Sequence, residues 1–155
     1  MQNSKVDAIP VQQIAKTLGE FGCYFSSLVY IAEQESGKKI DLIRAFNKYN
    51  KKKTCGVQWV EDDCFINRPD LVLLDLLKGN GVPVNSVTVR KETDINYYPK
   101  ANEILIGCFE WKSTMKTYSH FVNVDSGKRV VNDPVGTSNT VKNGLLRSLR
   151  VFTLL

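Results

Sequence analysis

The residues of this chain that could do chemistry together are one thiol, one imidazole and one carboxylate: Cys23, His120 and Asp133. A cysteine becomes a strong nucleophile when a neighbouring base takes its proton. An imidazole can be that base, and a carboxylate that accepts its second N–H fixes the tautomer and raises the basicity. His120 is the single histidine of the chain. These residue types, in this order along the chain, predict nucleophilic catalysis by a thiol.

Cys23 follows a turn that has a glycine at each end and begins an apolar stretch. After Gly22, aromatic and aliphatic residues recur at the three-and-four spacing of a buried helix. A thiol in the first turn of such a helix lies against unpaired N–H groups and the positive end of the helix dipole, which favours the thiolate. The alternative is that Cys23 is a buried cysteine that acts as a small hydrophobic side chain.

His120 and Asp133 lie in two consecutive predicted strands. His120 begins the first strand, where alternation places it on the same face as Val122 and Val124, pointing inward. Asp133 lies where the second strand ends and a loop leaves the sheet, just before Pro134. Because a short turn joins neighbouring antiparallel strands, we expect Asp133 to reach the imidazole. The alternatives are a structural histidine and an Asp-Pro pair that only initiates a turn.

The elements that must position these residues are predicted as helices first and strands second. The predicted helices cover residues 9–18, 23–37, 41–49 and 70–78, and the predicted strands cover residues 82–89, 103–111, 119–124, 129–132 and 147–155. Gly19 is predicted to end the first helix, and Asp41 to cap the third. Helices followed by an antiparallel sheet, without strand–helix–strand alternation, predict an α+β fold. The length fits a single domain, residues 1–155.

Residues 54–67 show no regular spacing, and we expect them to form a loop that folds back onto the core. The residues predicted to pack there are Trp59, Val60, Phe65 and Ile66.

The chain resembles the papain-like cysteine peptidase superfamily over nearly its whole length. It is similar to the compact bacterial branch that includes the bacteriocin-leader peptidases. His120-Phe-Val matches the strand that begins with the histidine of that branch, and Asp133-Pro-Val-Gly136 matches the end of its next strand. This resemblance implies a papain-like fold with the nucleophile on a central helix and the histidine and acid on facing strands.

A second resemblance is to uncharacterised papain-like domains carried by prophages and plasmids. The matching segments are Phe21-Gly-Cys-Tyr-Phe25, Trp59, Asp63-Cys-Phe-Ile66 and Arg150-Val-Phe.

The resemblance implies a cysteine hydrolase that cleaves an amide bond in a peptide, an isopeptide or a peptidoglycan stem peptide. Cys23 is the expected nucleophile, His120 the base and Asp133 the group that orients it. In this superfamily a glutamine shortly before the nucleophile usually donates to the oxyanion. Thr17 occupies that distance here, so we expect Gln13 to serve if residues 19–22 loop out, with the Cys23 N–H as the second donor.

A catalytically inactive papain-like fold that binds a protein or a nucleic acid is the alternative function. It agrees with the missing glutamine and with the basic cluster Lys48, Lys51, Lys52 and Lys53. The net charge of +5 fits an anionic partner such as nucleic acid or a cell-wall polymer. A lysine run beside a helix end is also typical of a solvated helix C-terminus.

The remaining features of the sequence concern where the protein is located and whether it binds a metal or a cofactor. No apolar run approaches the roughly 20 residues that span a bilayer. A polar start without an apolar signal core predicts a cytoplasmic protein, or one released by cell lysis, as for a prophage enzyme. The four cysteines are then expected to be reduced thiols. Because Cys55 and Cys64 are too widely spaced for a zinc knuckle, we predict no metal site and no cofactor.

Overall fold

The computed structural model of the protein describes residues 9–155, and it has the predicted α+β class. The helices are α1 (Val11–Phe21), α2 (Cys23–Ser36), α3 (Leu42–Asn50), α4 (Pro69–Gly79) and α5 (Asn139–Asn143). The strands are β1 (Lys53–Thr54), β2 (Val57–Gln58), β3 (Val87–Glu92), β4 (Glu103–Lys112), β5 (Thr117–Val124), β6 (Val130–Asn132) and β7 (Leu145–Leu154). None of these helices is long and apolar enough to cross a membrane.

The larger sheet contains five antiparallel strands in the order β3-β7-β4-β5-β6. Strands β4, β5 and β6 follow one another as neighbours. The last strand of the chain, β7, returns to the interior of the sheet and pairs with both β3 and β4. The sheet is therefore antiparallel, as predicted, but it is not a simple up-and-down succession. Strands β5 and β6, which carry the candidate site, form one side of it.

The central helix α2 is buried by the sheet on one side and by the other helices elsewhere. Phe25, Leu28 and Ile31 of α2 are all buried in the main core. The Phe25 ring meets the edge of Phe46 of α3 at 6.0 Å, and the Tyr24 ring stacks on Phe121 of β5 at 4.4 Å between centroids. Burying each such side chain contributes roughly 1.5–3 kcal/mol. This packing fixes the start of α2, and with it Cys23, against β5.

The prediction that Gly19 ends the first helix was wrong. Helix α1 continues through Gly19 to Phe21, and Gly22 follows it, with its N–H donating to the Leu18 carbonyl at 3.0 Å. A glycine inside a helix costs only about 1 kcal/mol, and Leu18, which is buried, offsets that cost. Gly22 is required at the break, because a Cβ there would lie 2.5 Å from the Leu18 carbonyl oxygen.

The segment 54–67 folds back onto the core as predicted, and it also contains the short β1–β2 hairpin. Val60 and Ile66 are buried, and Trp59 stacks on the Tyr49 ring. Phe65 was predicted to pack there too, which was wrong, because its side chain is 60% exposed. Cys64, in a left-handed turn conformation with φ of 71°, points into the core in its place.

Two other parts of the sheet region differ from the prediction. The strand predicted at residues 82–89 is shifted, since β3 begins at Val87. Pro83 has no N–H to donate to a neighbouring strand. The N–H groups of Asn85 and Ser86 both donate to the Leu155 carbonyl instead of forming a regular pairing. Helix α5 was not predicted at all. It is short and polar, and the Ser138 side chain caps it by accepting the Thr140 N–H.

Candidate active site

Cys23 is the first residue of α2, and Gly22 alone separates this helix from α1. Gly22 is the N-cap of α2 and has no side-chain oxygen to accept the first N–H groups of the helix. The nearby backbone N–H groups of Tyr24 and Phe121 lower the pKa of the Cys23 thiol. Donors at a helix start stabilise a thiolate more than a thiol. The local structure therefore agrees with the prediction that this thiol is a nucleophile.

His120 and Asp133, which were predicted to meet, are in contact. The His120 Nε2 atom lies 2.7 Å from the Asp133 Oδ1 atom, and the two side chains are only 10% and 5% exposed. Asp133 follows the last residue of β6, as expected. His120 is the fourth residue of β5 rather than the first, because the strand extends through the exposed residues 117–119. The predicted inward orientation of His120 is confirmed.

The Asp133 carboxylate is held in place by its own loop. It accepts the Val135 N–H at Oδ1 and the Ser138 N–H at Oδ2, both at 3.1 Å. Since Ser138 also caps α5, the loop after β6 is anchored at both ends. A carboxylate fixed in this way can orient the imidazole of His120 without moving.

The Cys23 thiol and the His120 imidazole line the same cavity, and each shifts the pKa of the other. With Nε2 bonded to Asp133, Nδ1 is the ring nitrogen left for the thiol. Burial raises the pKa of Cys23, but hydrogen bonds from His120 and Phe121 outweigh it and hold the pKa below its ordinary 9.0. Burial lowers the pKa of His120, but the bonds to Cys23 and Asp133 outweigh it and raise the pKa above 6.5. These opposite shifts favour a thiolate–imidazolium pair.

Buried polar side chains tie β5 and β6 to α2, and sequence reasoning missed them. The Ser27 hydroxyl donates to the Cys23 carbonyl at 2.8 Å, and Asn123 Nδ2 donates to the Ser27 carbonyl at 3.0 Å. Asn132 Nδ2 in turn donates to Asn123 Oδ1 at 3.0 Å. A buried polar group that loses its partner costs about 1–3 kcal/mol, so this network fixes both strands relative to Cys23. The signal in the sequence was an asparagine within the apolar strand that carries His120.

Cys23 lines two cavities. One cavity, of about 490 Å³, is lined by Cys23, His120 and Asp41, and by Val135 of the loop after β6. We call it the His120 cavity. The other, of about 460 Å³, lies beside Cys23 and is lined by the following residues among others: Phe21, Asp63, Cys64, Phe65 and Arg150. We call it the Arg150 cavity. A chain laid across Cys23 would have room on both sides of the reacting bond.

Gln13, the predicted oxyanion donor, is not brought to the site. It is an exposed residue of α1, and it lines neither of the two cavities. Residues 19–21 are helical, so the looped-out turn that would have let Gln13 reach is not formed. The Cys23 N–H, the other predicted donor, stays at the start of α2.

The other cysteines differ from Cys23 in environment. All four are free thiols. Burial, together with the nearby Cys23, raises the pKa of Cys64 to about 12, and burial also raises the pKa of Cys108. Cys55 is exposed. Within residues 9–155, no group of three or more histidine, cysteine, aspartate or glutamate side chains is placed to hold a metal ion.

Comparison with known proteins identifies a family. A family model described as "Protein of unknown function, DUF261" matches residues 9–154, which is nearly the whole chain. No curated protein and no solved structure matches.

Proposed function

The chain belongs to the DUF261 family, and we propose that it is a papain-like cysteine hydrolase that cleaves an amide bond. The observation that carries this proposal is the buried contact of His120 with Asp133 at 2.7 Å beside Cys23, with the pKa of the thiol lowered and that of the imidazole raised. Perturbed groups of complementary kind, gathered beside a cavity, are typical of catalytic sites. The placement of the thiol at a helix start and of the base on an adjacent strand supports the papain-like assignment.

In the proposed reaction the Cys23 thiolate attacks the carbonyl carbon of the amide, and the carbonyl π electrons move to oxygen. As the C–N bond breaks, the His120 imidazolium gives its proton to the leaving nitrogen, and a thioester remains on Cys23. Neutral His120 then takes a proton from water, and the water oxygen attacks the thioester carbon. The C–S bond breaks, the acid product leaves, and the thiolate–imidazolium pair is restored. Asp133 orients the imidazole throughout.

The oxyanion of this reaction has one proposed donor, the Cys23 N–H, which lies at the start of α2. A missing second donor costs about 10²–10³ in rate, and Gln13 lies away from the cavities. We therefore expect turnover to be slow compared with a hydrolase that has both donors.

The substrate class that fits best is a peptide chain, an isopeptide or a peptidoglycan stem peptide. Two cavities, of about 490 and 460 Å³, border Cys23, which suits a substrate that is longer than the cleaved bond alone. The net charge of +5 suits an anionic polymer such as a cell wall.

Cleavage of a mixed synthetic peptide library and of purified peptidoglycan fragments tests this proposal. We expect new termini by mass spectrometry with the wild-type chain and none with Cys23→Ala. Intact-mass measurement during the reaction should show an acyl adduct on Cys23. Neither products nor an adduct, from protein whose Cys23 is folded in place, would contradict the proposal.

Binding of an anionic partner is the second candidate function, and it is favoured by a basic groove. Lys39, Arg44, Lys48 and Lys51 line a groove of about 710 Å³ beside α3. Lys48 is already paired with Asp75 at 2.9 Å, which leaves fewer cations for a partner. Of the predicted basic cluster, Lys52 lies over the Trp59 ring, and Lys53 begins β1.

The salt dependence of binding to a nucleic acid or an anionic polysaccharide tests this second candidate. Each cation that contacts a phosphate contributes about 0.7–0.9 to the slope of log affinity against log salt. The double variant Lys39→Gln, Lys51→Gln should therefore lower the slope by nearly two units. Binding whose slope stays unchanged would exclude the groove.

A further inference from the structure

The Arg150 cavity contains a guanidinium that no carboxylate of the described chain neutralises. Arg150 Nη1 donates to the Ser148 hydroxyl at 3.1 Å and to the Leu149 carbonyl at 3.4 Å. Within residues 9–155, Nη2 and Nε have no hydrogen-bond acceptor, and no carboxylate oxygen lies within 4.0 Å of the guanidinium. An open pair of guanidinium N–H groups matches the two oxygens of a carboxylate.

The guanidinium is held in place beside the nucleophile. It lies over the Phe121 ring, 5.3 Å from the centroid, and that ring stacks on Tyr24. Tyr24 follows Cys23 in the chain, and both Cys23 and Arg150 line the same cavity. A cation stacked on a packed aromatic ring loses little further freedom when it binds a ligand.

The rim of this cavity is apolar on two sides and acidic at its edge. Phe21 and Phe65 are 61% and 60% exposed, which is unusual for large aromatic side chains that line a cavity. Glu20 and Asp63 also line it, but both are exposed, and neither is within ion-pair distance of Arg150. Solvent and salt screen exposed charges, so the rim carboxylates weaken the field of Arg150 without cancelling it.

We propose that Arg150 binds a carboxylate of the substrate next to the scissile amide, and that Phe21 and Phe65 hold the apolar part of the same substrate residue. This assignment rests on the proposed hydrolase function and specifies its substrate. The carboxylate belongs either to a free peptide C-terminus or to an acidic side chain. Both sources present the same planar anion to the guanidinium.

Alkylation of Cys23 by iodoacetate and by iodoacetamide tests this assignment without a known substrate. In both reactions the sulfur forms a bond to the methylene carbon, and iodide leaves with the electron pair of the C–I bond. The reagents differ in having a carboxylate or a neutral amide. Activation of the thiolate raises both rates, whereas a carboxylate site raises only the rate with iodoacetate. The ratio of the two rates therefore isolates the carboxylate site.

The measurement uses Cys55→Ser protein, from which the exposed thiol is removed. Arg150→Gln should lower the iodoacetate-to-iodoacetamide ratio about tenfold, since it removes one close charge pair from a partly buried site. Arg150→Lys should keep part of the preference, and Arg147→Gln, an exposed arginine on the same strand, should leave the ratio unchanged. A ratio that is the same in wild type and Arg150→Gln overturns the carboxylate site. Slow reaction of Cys23 with both reagents overturns the hydrolase function, and this assignment with it.

Protection of Cys23 from iodoacetamide identifies the source of the carboxylate. Three compounds are compared. N-acetylphenylalanine offers a terminal carboxylate, N-acetylglutamic acid α-amide offers a side-chain carboxylate, and N-acetylphenylalanine amide offers neither. Protection by one of the two acids, lost in Arg150→Gln, supports the site and names the source. Equal protection by the neutral amide, or protection by none of the three, contradicts the proposal.

Discussion

Two thiols line the Arg150 cavity, and their pKa values move in opposite directions. Burial raises the pKa of both Cys23 and Cys64. At Cys64 nothing offsets it, and the pKa reaches about 12. At Cys23 the interactions with His120 and with backbone N–H groups outweigh the effect of burial, and the pKa falls below 9.0. The presence of a base, rather than the cavity, therefore separates a thiol with a lowered pKa from one with a raised pKa.

The backbone around the two thiols explains why only one of them has partners. Cys23 begins a helix whose first N–H groups lack a side-chain cap, and β5 supplies both His120 and the Phe121 N–H. Cys64 lies in a tight turn with φ of 71°, and its own N–H donates to the Glu61 carbonyl at 2.9 Å. The turn satisfies its own backbone and presents no donors to the sulfur.

Replacing His120 by alanine should erase most of the difference between the two thiols. Loss of a positioned base costs about 10²–10⁴-fold, so Cys23 should react with iodoacetamide at least 10²-fold more slowly at mildly acidic pH. Peptide mass mapping of each cysteine measures this rate. Thr117→Ala, an exposed change in the same strand, is the matched control. An unchanged Cys23 rate in His120→Ala would show that the imidazole does not activate the thiol.

The change Asp133→Asn should reduce the difference in reactivity between Cys23 and Cys64 less than His120→Ala does. A hydrogen bond to a charged group contributes about 1.5–3 kcal/mol, so we expect the Cys23 alkylation rate to fall about 10- to 100-fold. Asp125→Asn is the control, because that carboxylate accepts the Arg129 N–H in the turn between β5 and β6 but does not touch His120. Equal losses in the two variants would mean that Asp133 acts only through the fold.

Gly22→Ala tests whether the close turn before α2 is needed. The new Cβ would lie 2.5 Å from the Leu18 carbonyl oxygen, and overpacking of this kind costs about 1–3 kcal/mol. Gly19→Ala, where a Cβ has no neighbour within 4 Å, should instead stabilise the protein by about 0.5–1 kcal/mol. Urea unfolding of both variants measures the free energies. Equal effects of the two changes would argue against the tight turn.

Cys64 should also make the free energy of unfolding depend on pH. Its folded pKa is about 12, above the ordinary 9.0, so the unfolded state loses this proton first and the free energy of unfolding falls as pH rises from 9.0 towards 12. The lowered pKa of Cys23 has the opposite effect, because it stabilises the folded state at high pH. This contribution to the free energy of unfolding is lost as pH falls through the folded pKa of Cys23. Cys64→Ala should reduce the alkaline fall by about 1 kcal/mol per pH unit.

The control for this prediction is Cys55→Ala, which removes an exposed thiol and should keep the full alkaline fall. Urea unfolding at several alkaline pH values measures both variants against wild type. The same slope in Cys64→Ala and wild type would show that Cys64 keeps an ordinary pKa in the fold.

Much of the fold could be predicted from local patterns. The α+β class follows from the spacing of apolar residues, and the Asp41 cap is confirmed by the Arg44 N–H, which donates to its Oδ1 atom at 3.0 Å. The end of α1 could not be predicted, because the choice between Gly19 and Gly22 depends on how deeply Leu18 is buried. The return of β7 between β3 and β4 is likewise a long-range pairing without a local signal.

The candidate site, like the fold, has residues that the sequence predicts and residues that it does not. Cys23, His120 and Asp133 could be found because their residue types and their order carry chemical meaning. The bond from Asn123 to the Ser27 carbonyl joins residues 96 positions apart, and no local pattern predicts it. The open guanidinium of Arg150 is recognised only once the neighbouring carboxylates are located. The sequence therefore identifies the candidate catalytic residues, and the structure is needed for the residues that support them.

The ultraviolet absorbance of the thiolate, measured against pH in wild type and in Cys23→Ser, tests the thiolate–imidazolium pair most directly. The difference between the two proteins reports Cys23 alone. We predict that this absorbance appears below the ordinary pKa of 9.0 and shifts to higher pH in His120→Ala, because the imidazolium stabilises the thiolate. A difference that appears only near or above 9.0, and is the same in His120→Ala, would contradict the assignment of Cys23 as an activated nucleophile.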